Sequence, residues 1–239
     1  MTMTEYVFTP DLPATLPVAG SQQRFPVGRV FCVGRNYPWP DTQGQSRQPP
    51  VFFMKPASNV VDATGEVTFP PLTEEFVHEI ELVVAIGEGG ANIPESQALA
   101  YVWGYAVGLD LTRRDVQRAA KSNGLPWEGA KVFDGAAPMT AIVPVTHAGH
   151  PNGELWLNVN GEERQRDSLD SQIWSVSEII SRISQSVALR AGDLIMTGSP
   201  AGVDVLQPGD IINAGIAGIG QLEMRVGQRA LNPAHALVN

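Results

Sequence analysis

The sequence predicts a β-rich α+β fold with a few short helices. Short apolar runs separated by turn residues recur through most of the chain, and only a few segments carry helix-start signals. A chain of 239 residues with 43% hydrophobic composition can bury a sizeable core, and β-rich folds of this size commonly form one domain. We therefore predict an N-terminal arm over residues 1–28 and a single large domain over residues 29–239.

Proline and glycine interrupt the first fifty residues. Six of them fall between residues 10 and 28, too many for a helix or a central strand, so the arm is predicted to be irregular. A second polar stretch, Pro38–Pro50, separates the apolar runs Val30–Val33 and Val51–Met54. This stretch is predicted to be a mobile loop.

The middle of the chain is predicted to alternate between strands and helices. Phe76–Ile86 is rich in Val and Ile and has the length of a largely buried strand. Pro94 near a first helical turn predicts a helix to about Val102, and Trp103–Leu109 is predicted to be the next strand. Thr112–Asp115 has the spacing of a capping box, which predicts a helix start directly behind that strand.

The C-terminal half is predicted to be a β-meander with one helix. Leu155–Val159 followed by Asn160-Gly161 predicts a hairpin, because Asn-Gly supplies the positive φ angles of a tight turn. Ser175–Glu178 is a second capping box, and apolar residues at helical spacing follow it. The remaining strands are predicted at Leu194–Thr197, Ile211–Ile216 and Leu222–Val226.

Charge and cysteine content exclude several classes of protein. The net charge of -9 gives no long-range attraction for nucleic acid or an anionic membrane, although a bound cation can still attract a small anion locally. The single cysteine, Cys32, lies in an apolar run, so a buried thiol and no internal disulfide are expected. The chain has no apolar stretch near the roughly 20 residues of a membrane span and no signal segment, so we expect a cytoplasmic protein.

Three carboxylates carry the predicted chemistry. In an extended strand, residues two apart share a face, so Glu79 and Glu81 converge while His78 faces the other way. Like charges this close, flanked by apolar residues, are unfavourable unless they share a proton, face solvent or bind a cation. Asp110 adds a third carboxylate at the end of an apolar strand, and such oxygen ligands suit Mg²⁺, Mn²⁺ or Ca²⁺ better than zinc.

Simpler interpretations exist for these polar residues. A Glu-x-Glu pair alone is commonly the solvent-exposed face of an edge strand. His78 is predicted to have a structural or hydrogen-bonding role, because it faces away from the two glutamates. The other histidines lie in polar or terminal segments without ligand spacing and are assigned no function: His147, His150 and His235.

Six motifs together resemble the fumarylacetoacetate hydrolase family. They are Val33–Tyr37, Phe52–Pro56, His78–Leu82, Gly104–Asp110, Leu125–Trp127 with Lys131, and Thr197–Val203. Their order and spacing over roughly residues 25–226 make the match specific. Within the family, Tyr6–Pro10 and Leu16–Gly20 look most like the opening of fumarylpyruvate hydrolases.

The resemblance implies a mixed β-sandwich roll that forms a homodimer, with Mg²⁺ or Mn²⁺ held by Glu79, Glu81 and Asp110. It also implies a catalytic lysine, matching Lys131, that binds and polarises a small anionic 2-oxoacid beside the metal. Polar contacts to the substrate are implied for four further positions: Arg35, Arg114, Gln117 and Thr197.

These residues also have alternatives that need no substrate. Lys131 sits among apolar residues, where a cation is costly without a partner, which favours a functional role. Arg113 and Arg114 lie where a helix dipole disfavours cations, so at least one is expected to have an anionic partner, and a structural salt bridge is the alternative. Lys55 is ambiguous, and Arg35 at the border of the loop has a surface position as its alternative.

The reaction that the resemblance implies is cleavage of a carbon–carbon bond in an acylpyruvate, with fumarylpyruvate as the leading substrate. In this family a histidine and a glutamate, on a lid helix after the Asn-Tyr that matches Asn36-Tyr37, activate the water. Residues 38–48 contain neither. The alternatives are water activation by Asp41 or metal-bound hydroxide, an oxaloacetate decarboxylase or keto–enol tautomerase, and a non-catalytic member that binds metal and 2-oxoacids.

Overall fold

The computed structural model describes residues 6–39 and 46–229 and confirms the β-rich α+β class with short helices. Within the predicted loop, residues 38–39 and 46–50 form no helix or strand, and residues 40–45 lie outside the described ranges. Asp41 and His235 are therefore outside them as well. The mobility of the loop stays a prediction.

The N-terminal arm is not irregular throughout, so that prediction is wrong over residues 15–26. It contains an antiparallel hairpin of β1 (Thr15–Pro17) and β2 (Arg24–Pro26). Both strands end on proline, which lacks the N–H that a longer ladder would need. Leu16 and Phe25 are buried in a small core that they share with the main sheet, so the arm covers one face of that sheet.

In the described residues the main sheet has eight strands and mixed pairing. Its strand order is β4-β3-β15-β8-β9-β11-β5, and β12 also pairs with β9. β3 and β15 are parallel, as are β11 and β5. The strands are β3 (Arg29–Gly34), β4 (Val51–Pro56), β5 (Val60–Asp62), β8 (Ile80–Ile86), β9 (Val102–Leu109), β11 (Ala137–Met139), β12 (Val143–Pro144) and β15 (Leu194–Met196).

A five-stranded sheet packs against the main sheet in the order β14-β13-β16-β17-β6. The Asn160-Gly161 hairpin is confirmed, with φ angles of 54° and 81° at the two turn residues. The predicted meander is wrong in one element, because β15 leaves it to join the main sheet between β3 and β8. The five strands are β6 (Thr64–Phe69), β13 (Glu154–Val159), β14 (Glu162–Ser168), β16 (Ile211–Ile216) and β17 (Gly220–Arg229).

The predicted strand Phe76–Ile86 is divided in two. β7 (Phe76–Val77) pairs with β10 (Thr112–Arg113), whereas β8 lies in the centre of the main sheet. His78 and Glu79 connect the two strands.

One of the predicted capping boxes is present and the other is not. Ser175 and Glu178 form the reciprocal bonds of a capping box at the start of α4. The predicted box at Thr112 is wrong, because α1 begins at Arg114 and the Thr112 hydroxyl donates instead to Glu79. The α-helices are α1 (Arg114–Ser122), α2 (Glu128–Lys131), α3 (Val145–Ala148) and α4 (Val176–Ser186), and the 3₁₀ helices are Ala57–Asn59, Glu95–Tyr101 and Leu169–Ser171.

The 3₁₀ helix that follows Pro94 confirms the helix predicted there. Among the helices of the described ranges, none has the length and apolar character needed to cross a membrane.

Alternation along β8 separates two apolar cores. Leu82 and Val84 face the larger core, which the main sheet shares with the five-stranded sheet. Val83 and Ala85 face the smaller core beneath the arm. Because residues two apart share a face, Glu81 lies on the side of Val83, opposite the larger core.

Candidate active site

A cavity of about 970 Å³ lies where the three predicted carboxylates meet. Its wall also includes residues 33–35 and 37–39 from the end of β3 onward, residues 46–49 at the end of the predicted loop, and residues from β4, α1 and α2. The chain that follows β15 closes it with Ser199 and Val203.

The carboxylates of Glu79, Glu81 and Asp110 converge as predicted. One oxygen of each lies within 4.8 Å of the others. Pairing of β8 with β9 produces this arrangement, because Ile80 lies opposite Leu109 and the Asp110 N–H donates to the Glu79 carbonyl at 2.9 Å. The alternative of a wet edge strand is wrong, since β8 is central and Glu81 is only 2% exposed.

Two buried lysines compensate part of this negative charge. Lys131 Nζ donates to Asp110 Oδ2 at 2.6 Å, to Thr112 Oγ1 at 2.7 Å and to Glu79 Oε2 at 3.2 Å. Lys55 Nζ lies 2.9 Å from Asp110 Oδ1 and also donates to the carbonyl of Lys131. Asp110 is therefore held between two ammonium groups.

The pKa shifts in the cluster differ in direction: the pKa values of Glu81 and Lys131 are raised, and that of Asp110 is lowered. Burial raises the pKa of Glu81 well above its usual value, and the charges of Asp110 and Glu79 raise it further. Burial also raises the pKa of Asp110, but Lys131 and Lys55 outweigh it and the net shift is downward. Burial lowers the pKa of Lys131, but Asp110 and Glu79 outweigh that effect, so Lys131 stays protonated.

These residues fit a divalent cation. Three carboxylates beside two ammonium groups leave a net negative charge in a buried cluster, which a cation would neutralise. Asp110 Oδ1 is buried and its one close partner in the described residues is Lys55 Nζ at 2.9 Å, so a lone pair of this oxygen remains for a cation. Oxygen donors alone suit Mg²⁺, Mn²⁺ or Ca²⁺.

Three of the four predicted substrate contacts lie on the cavity wall. Arg35, Arg114 and Gln117 line it, the last two from α1. Thr197 does not, so the structure gives its predicted contact no support. Its side chain is fully buried, donating to the Leu82 carbonyl at 3.0 Å and accepting from Gln172. Thr197 immediately precedes Gly198, whose N–H donates to the Glu81 carboxylate.

Arg113 interacts electrostatically with Asp115 and Arg114 with Glu75, but neither arginine forms an ion pair within 4.0 Å with a described carboxylate. Arg113 donates to the Gly129 carbonyl at 3.5 Å and stacks on the Phe133 ring at 4.8 Å. The buried Nε of Arg114 has no hydrogen-bond partner in the described part of the chain. Arg114 therefore brings to the cavity wall a positive charge that has no close ion pair in the described residues.

No histidine lies among the described residues of the wall. His78 has the structural role predicted for it: it is buried, its Nδ1 is 3.0 Å from Gln165 Oε1, and burial lowers its pKa. His150 contacts the Tyr105 hydroxyl at 2.6 Å instead of the cavity.

Sequence reasoning left Lys55 ambiguous and did not identify Lys121. Lys55 could have been found from its position in an apolar strand, since a lysine is almost never fully buried without a partner. Lys121 lines the cavity near the end of α1, and its only sequence signal is its spacing from Arg114 and Gln117 on one helix face.

The fold and the site together define the class of protein. Residues 29–227 match the family model described as fumarylacetoacetate (FAA) hydrolase C-terminal. The chain belongs to the fumarylacetoacetate hydrolase family and is an enzyme of that family.

Solved structures place it near the fumarylpyruvate hydrolases. The fumarylpyruvate hydrolase of Pseudomonas aeruginosa, in complex with Mn²⁺ and pyruvate, is 45% identical, with a TM-score of 0.90 over 94% of this chain and 100% of that one. A provisionally assigned fumarylpyruvate hydrolase from Burkholderia cenocepacia is 50% identical, with a TM-score of 0.91 over 96% and 98% of the two chains. The Mn²⁺ of the first structure agrees with a divalent metal site here.

A curated relative has a different activity. The mitochondrial oxaloacetate tautomerase FAHD1 of Arabidopsis thaliana is 39% identical over 212 residues, which cover 87% of this chain and 95% of the relative. Both activities act on 2-oxoacids.

Proposed function

We propose that this protein hydrolyses the carbon–carbon bond of an acylpyruvate, with fumarylpyruvate giving fumarate and pyruvate as the leading reaction. The observation that carries the proposal is the buried carboxylate cluster beside protonated Lys131 in a cavity that admits a small diacid. Similarity to the Pseudomonas enzyme, whose structure holds Mn²⁺ and pyruvate, supports it.

Each polar group has a role in this reaction. Glu79, Glu81 and Asp110 would hold the divalent cation, which supplies a Lewis acid for the 2-oxo and carboxylate oxygens of the substrate. Lys131 stabilises negative charge that develops on the departing pyruvate, because its ammonium stays protonated in a buried setting. Arg114 and Gln117 orient the substrate from the face of α1.

A second function is favoured by the composition of the cavity wall. Keto–enol tautomerisation of a 2-oxoacid such as oxaloacetate needs the same stabilisation of negative charge but no attacking water. The described wall contains no histidine to activate water, and the Arabidopsis relative is an oxaloacetate tautomerase. Hydrolysis would need another base, for which Asp41 stays the candidate from sequence.

The test compares turnover of fumarylpyruvate with and without metal. Chelator-treated protein is supplied with Mg²⁺ or Mn²⁺, and fumarylpyruvate loss is followed together with pyruvate formation. Glu81→Gln should lower the rate by about a hundredfold or more, because a Lewis acid contributes several kcal/mol to such reactions. Glu88→Gln, an exposed carboxylate outside the cavity, is the matched control and should leave the rate unchanged.

Pyruvate formation that depends on metal and on Glu81 would support the hydrolase. A folded protein that forms no pyruvate with either metal, yet accelerates keto–enol exchange of oxaloacetate, would refute the hydrolase and support the tautomerase. Binding of metal and oxalate without either turnover would leave the non-catalytic alternative.

We also propose that the protein is a homodimer, as the family resemblance implies. Size-exclusion chromatography with light scattering should give twice the chain mass of 25.7 kDa. A mass equal to a single chain at micromolar concentration would contradict this proposal.

A further inference from the structure

We propose that Arg35 and Lys121 form a second anion site in the cavity, which binds the far carboxylate of a dicarboxylic substrate. The inference rests on the proposed function, because it assumes that the 2-oxoacid end of the substrate lies at the carboxylate cluster. It adds a residue, Lys121, and a substrate class, diacids over monoacids.

The first observation is a group of three cations that form no ion pair with a described carboxylate. Arg35, Arg114 and Lys121 all line the cavity, and no described carboxylate lies within 4.0 Å of their charged nitrogens. Arg118, one turn before Lys121 on α1, does not line the cavity and pairs with Glu75 at 2.6 Å. The helix therefore pairs its outward arginine with a carboxylate, whereas the cavity cations have no ion pair in the described part of the chain.

The second observation is that these cations act on one another. Partial burial lowers the pKa of Lys121, although the residue is exposed overall, and the nearby charges of Arg35 and Arg114 lower it further while Glu79 raises it. Positive charges gathered in a cavity are unfavourable unless an anion completes them, as negative charges are without a cation. An anionic group of the substrate would relieve this repulsion.

The third observation is that the Lys121 side chain and the Arg35 backbone are both held in place. The Lys121 ammonium lies 4.5 Å from the centre of the Trp127 ring, which packs in turn on Phe53. Arg35 has a left-handed backbone with a φ of 60°, which a residue with a side chain adopts only where its surroundings impose it.

Asn36 imposes that conformation on Arg35. Its amide donates to the carbonyls of Trp174 at 3.0 Å and Thr197 at 2.7 Å, and its oxygen accepts from the Trp174 N–H at 2.7 Å. Backbone strain held this firmly beside a cavity is typical of functional positions.

The geometry of α1 separates the two ends of the cavity. Arg114, Gln117 and Lys121 recur at intervals of three and four residues, so they share one helix face. Seven residues along an α-helix advance about 10 Å, which leaves room for an extended diacid between the start and the end of α1.

The test uses a diacid and a monoacid of the same reaction. Lys121→Met should lower kcat/KM for fumarylpyruvate about tenfold, mainly through KM, because a charge-assisted hydrogen bond is lost. The variant should change kcat/KM for acetylpyruvate, which lacks the far carboxylate, by less than about twofold. Lys121→Arg should recover most of the loss, and Arg118→Met should behave as wild type.

Equal losses of kcat/KM on both substrates would indicate a structural role for Lys121 and overturn the proposal. The absence of any loss would overturn the proposal as well. A binding experiment separates this outcome from failure of the proposed function. With Mn²⁺ present, 2-oxoglutarate should stabilise the wild-type protein against heat more than 2-oxopentanoate, and Lys121→Met should remove the difference. If the wild type cleaves nothing but keeps this preference, the hydrolase proposal fails and the anion site stands. If the two ligands bind alike, the anion site is refuted.

Discussion

Replacing Glu81 with glutamine should stabilise the metal-free protein and abolish its stabilisation by metal. Glutamine has nearly the same shape and keeps an oxygen that can accept from the Gly198 N–H, which is 2.6 Å from the carboxylate. The substitution removes one negative charge from a cluster in which three carboxylates meet two ammonium groups. The two carboxylates and two ammonium groups that remain then carry equal and opposite charge.

The magnitude follows from the distances in the cluster. Two unit charges at 4.8 Å interact by about 3.5 kcal/mol at an effective dielectric constant of about 20. Burial is the largest cost of the Glu81 charge, and repulsion by Asp110 and Glu79 exceeds the attraction of Lys131, so the pKa of Glu81 is raised well above its usual value. We expect the free energy of unfolding to rise by about 1–3 kcal/mol at pH 7 without metal. Mn²⁺ at a hundred times its Kd should stabilise the wild type by about 2.7 kcal/mol.

The assay is urea unfolding at neutral pH with chelator or with Mn²⁺. Glu88→Gln should change stability by less than about 0.5 kcal/mol in both conditions, as expected for an exposed position. A chelator-treated Glu81→Gln protein that is clearly less stable than the wild type would refute the charge argument. Equal stabilisation of variant and wild type by Mn²⁺ would refute the role of Glu81 as a metal ligand.

Three further substitutions test interactions that hold the residues around the site in place. Lys55→Met should lower the free energy of unfolding by about 3–5 kcal/mol, because it removes one partner of buried Asp110. The assay is a guanidinium titration, and an unchanged midpoint would contradict the buried ion pair. Arg47 lowers the pKa of Glu178 from 4.5 to about 2, so the stability from this pair is present above about pH 4.5 and is lost as the pH falls toward 2. In acid unfolding, the Glu178→Gln protein should therefore lose less stability between those pH values than the wild type. An equal loss of stability in both proteins would refute the link between this ion pair and the pH dependence. Gly198→Ala should lower the free energy of unfolding by about 1–3 kcal/mol, because φ is 98° at this position and a Cβ would lie 2.7 Å from a neighbouring side chain. The same substitution should weaken Mn²⁺ binding measured by calorimetry, and wild-type affinity and stability would contradict this expectation.

The carboxylate cluster could be predicted from sequence because its geometry is local. Glu79 and Glu81 are two residues apart in extended chain, and Asp110 follows the strand that pairs with theirs. Strand alternation and one antiparallel pairing are enough to bring the three together. The same reasoning placed His78 on the other side, where the structure shows it beside Gln165.

The role of Lys55 could not be predicted in this way. Three strands separate its strand, β4, from β9 in the sheet order, yet its ammonium reaches Asp110 at 2.9 Å. Only the curl of the whole sheet brings these strands together, and no local pattern encodes it. The substrate side of the site depends in the same way on contacts between α1 and the chain after β3.

The wrong capping box shows how tertiary contacts override a local motif. Thr112 has the right spacing for a cap, but Glu79 and Lys131 use its hydroxyl. Asp115, the other half of the predicted box, accepts instead from the Thr73 hydroxyl and the Glu74 N–H. A hydroxyl beside a charged cluster makes charge-assisted bonds, which are about twice as strong as a neutral cap.

The charges of the cavity also bear on which ligand completes it. The buried cluster carries one net negative charge, so a divalent cation would reverse its sign and the carboxylate of a 2-oxoacid would then neutralise it. Arg35 and Lys121 remain positive at the other end, where a monoacid leaves them without an anion. A dianion would complete both ends, although the chain as a whole has a net charge of -9.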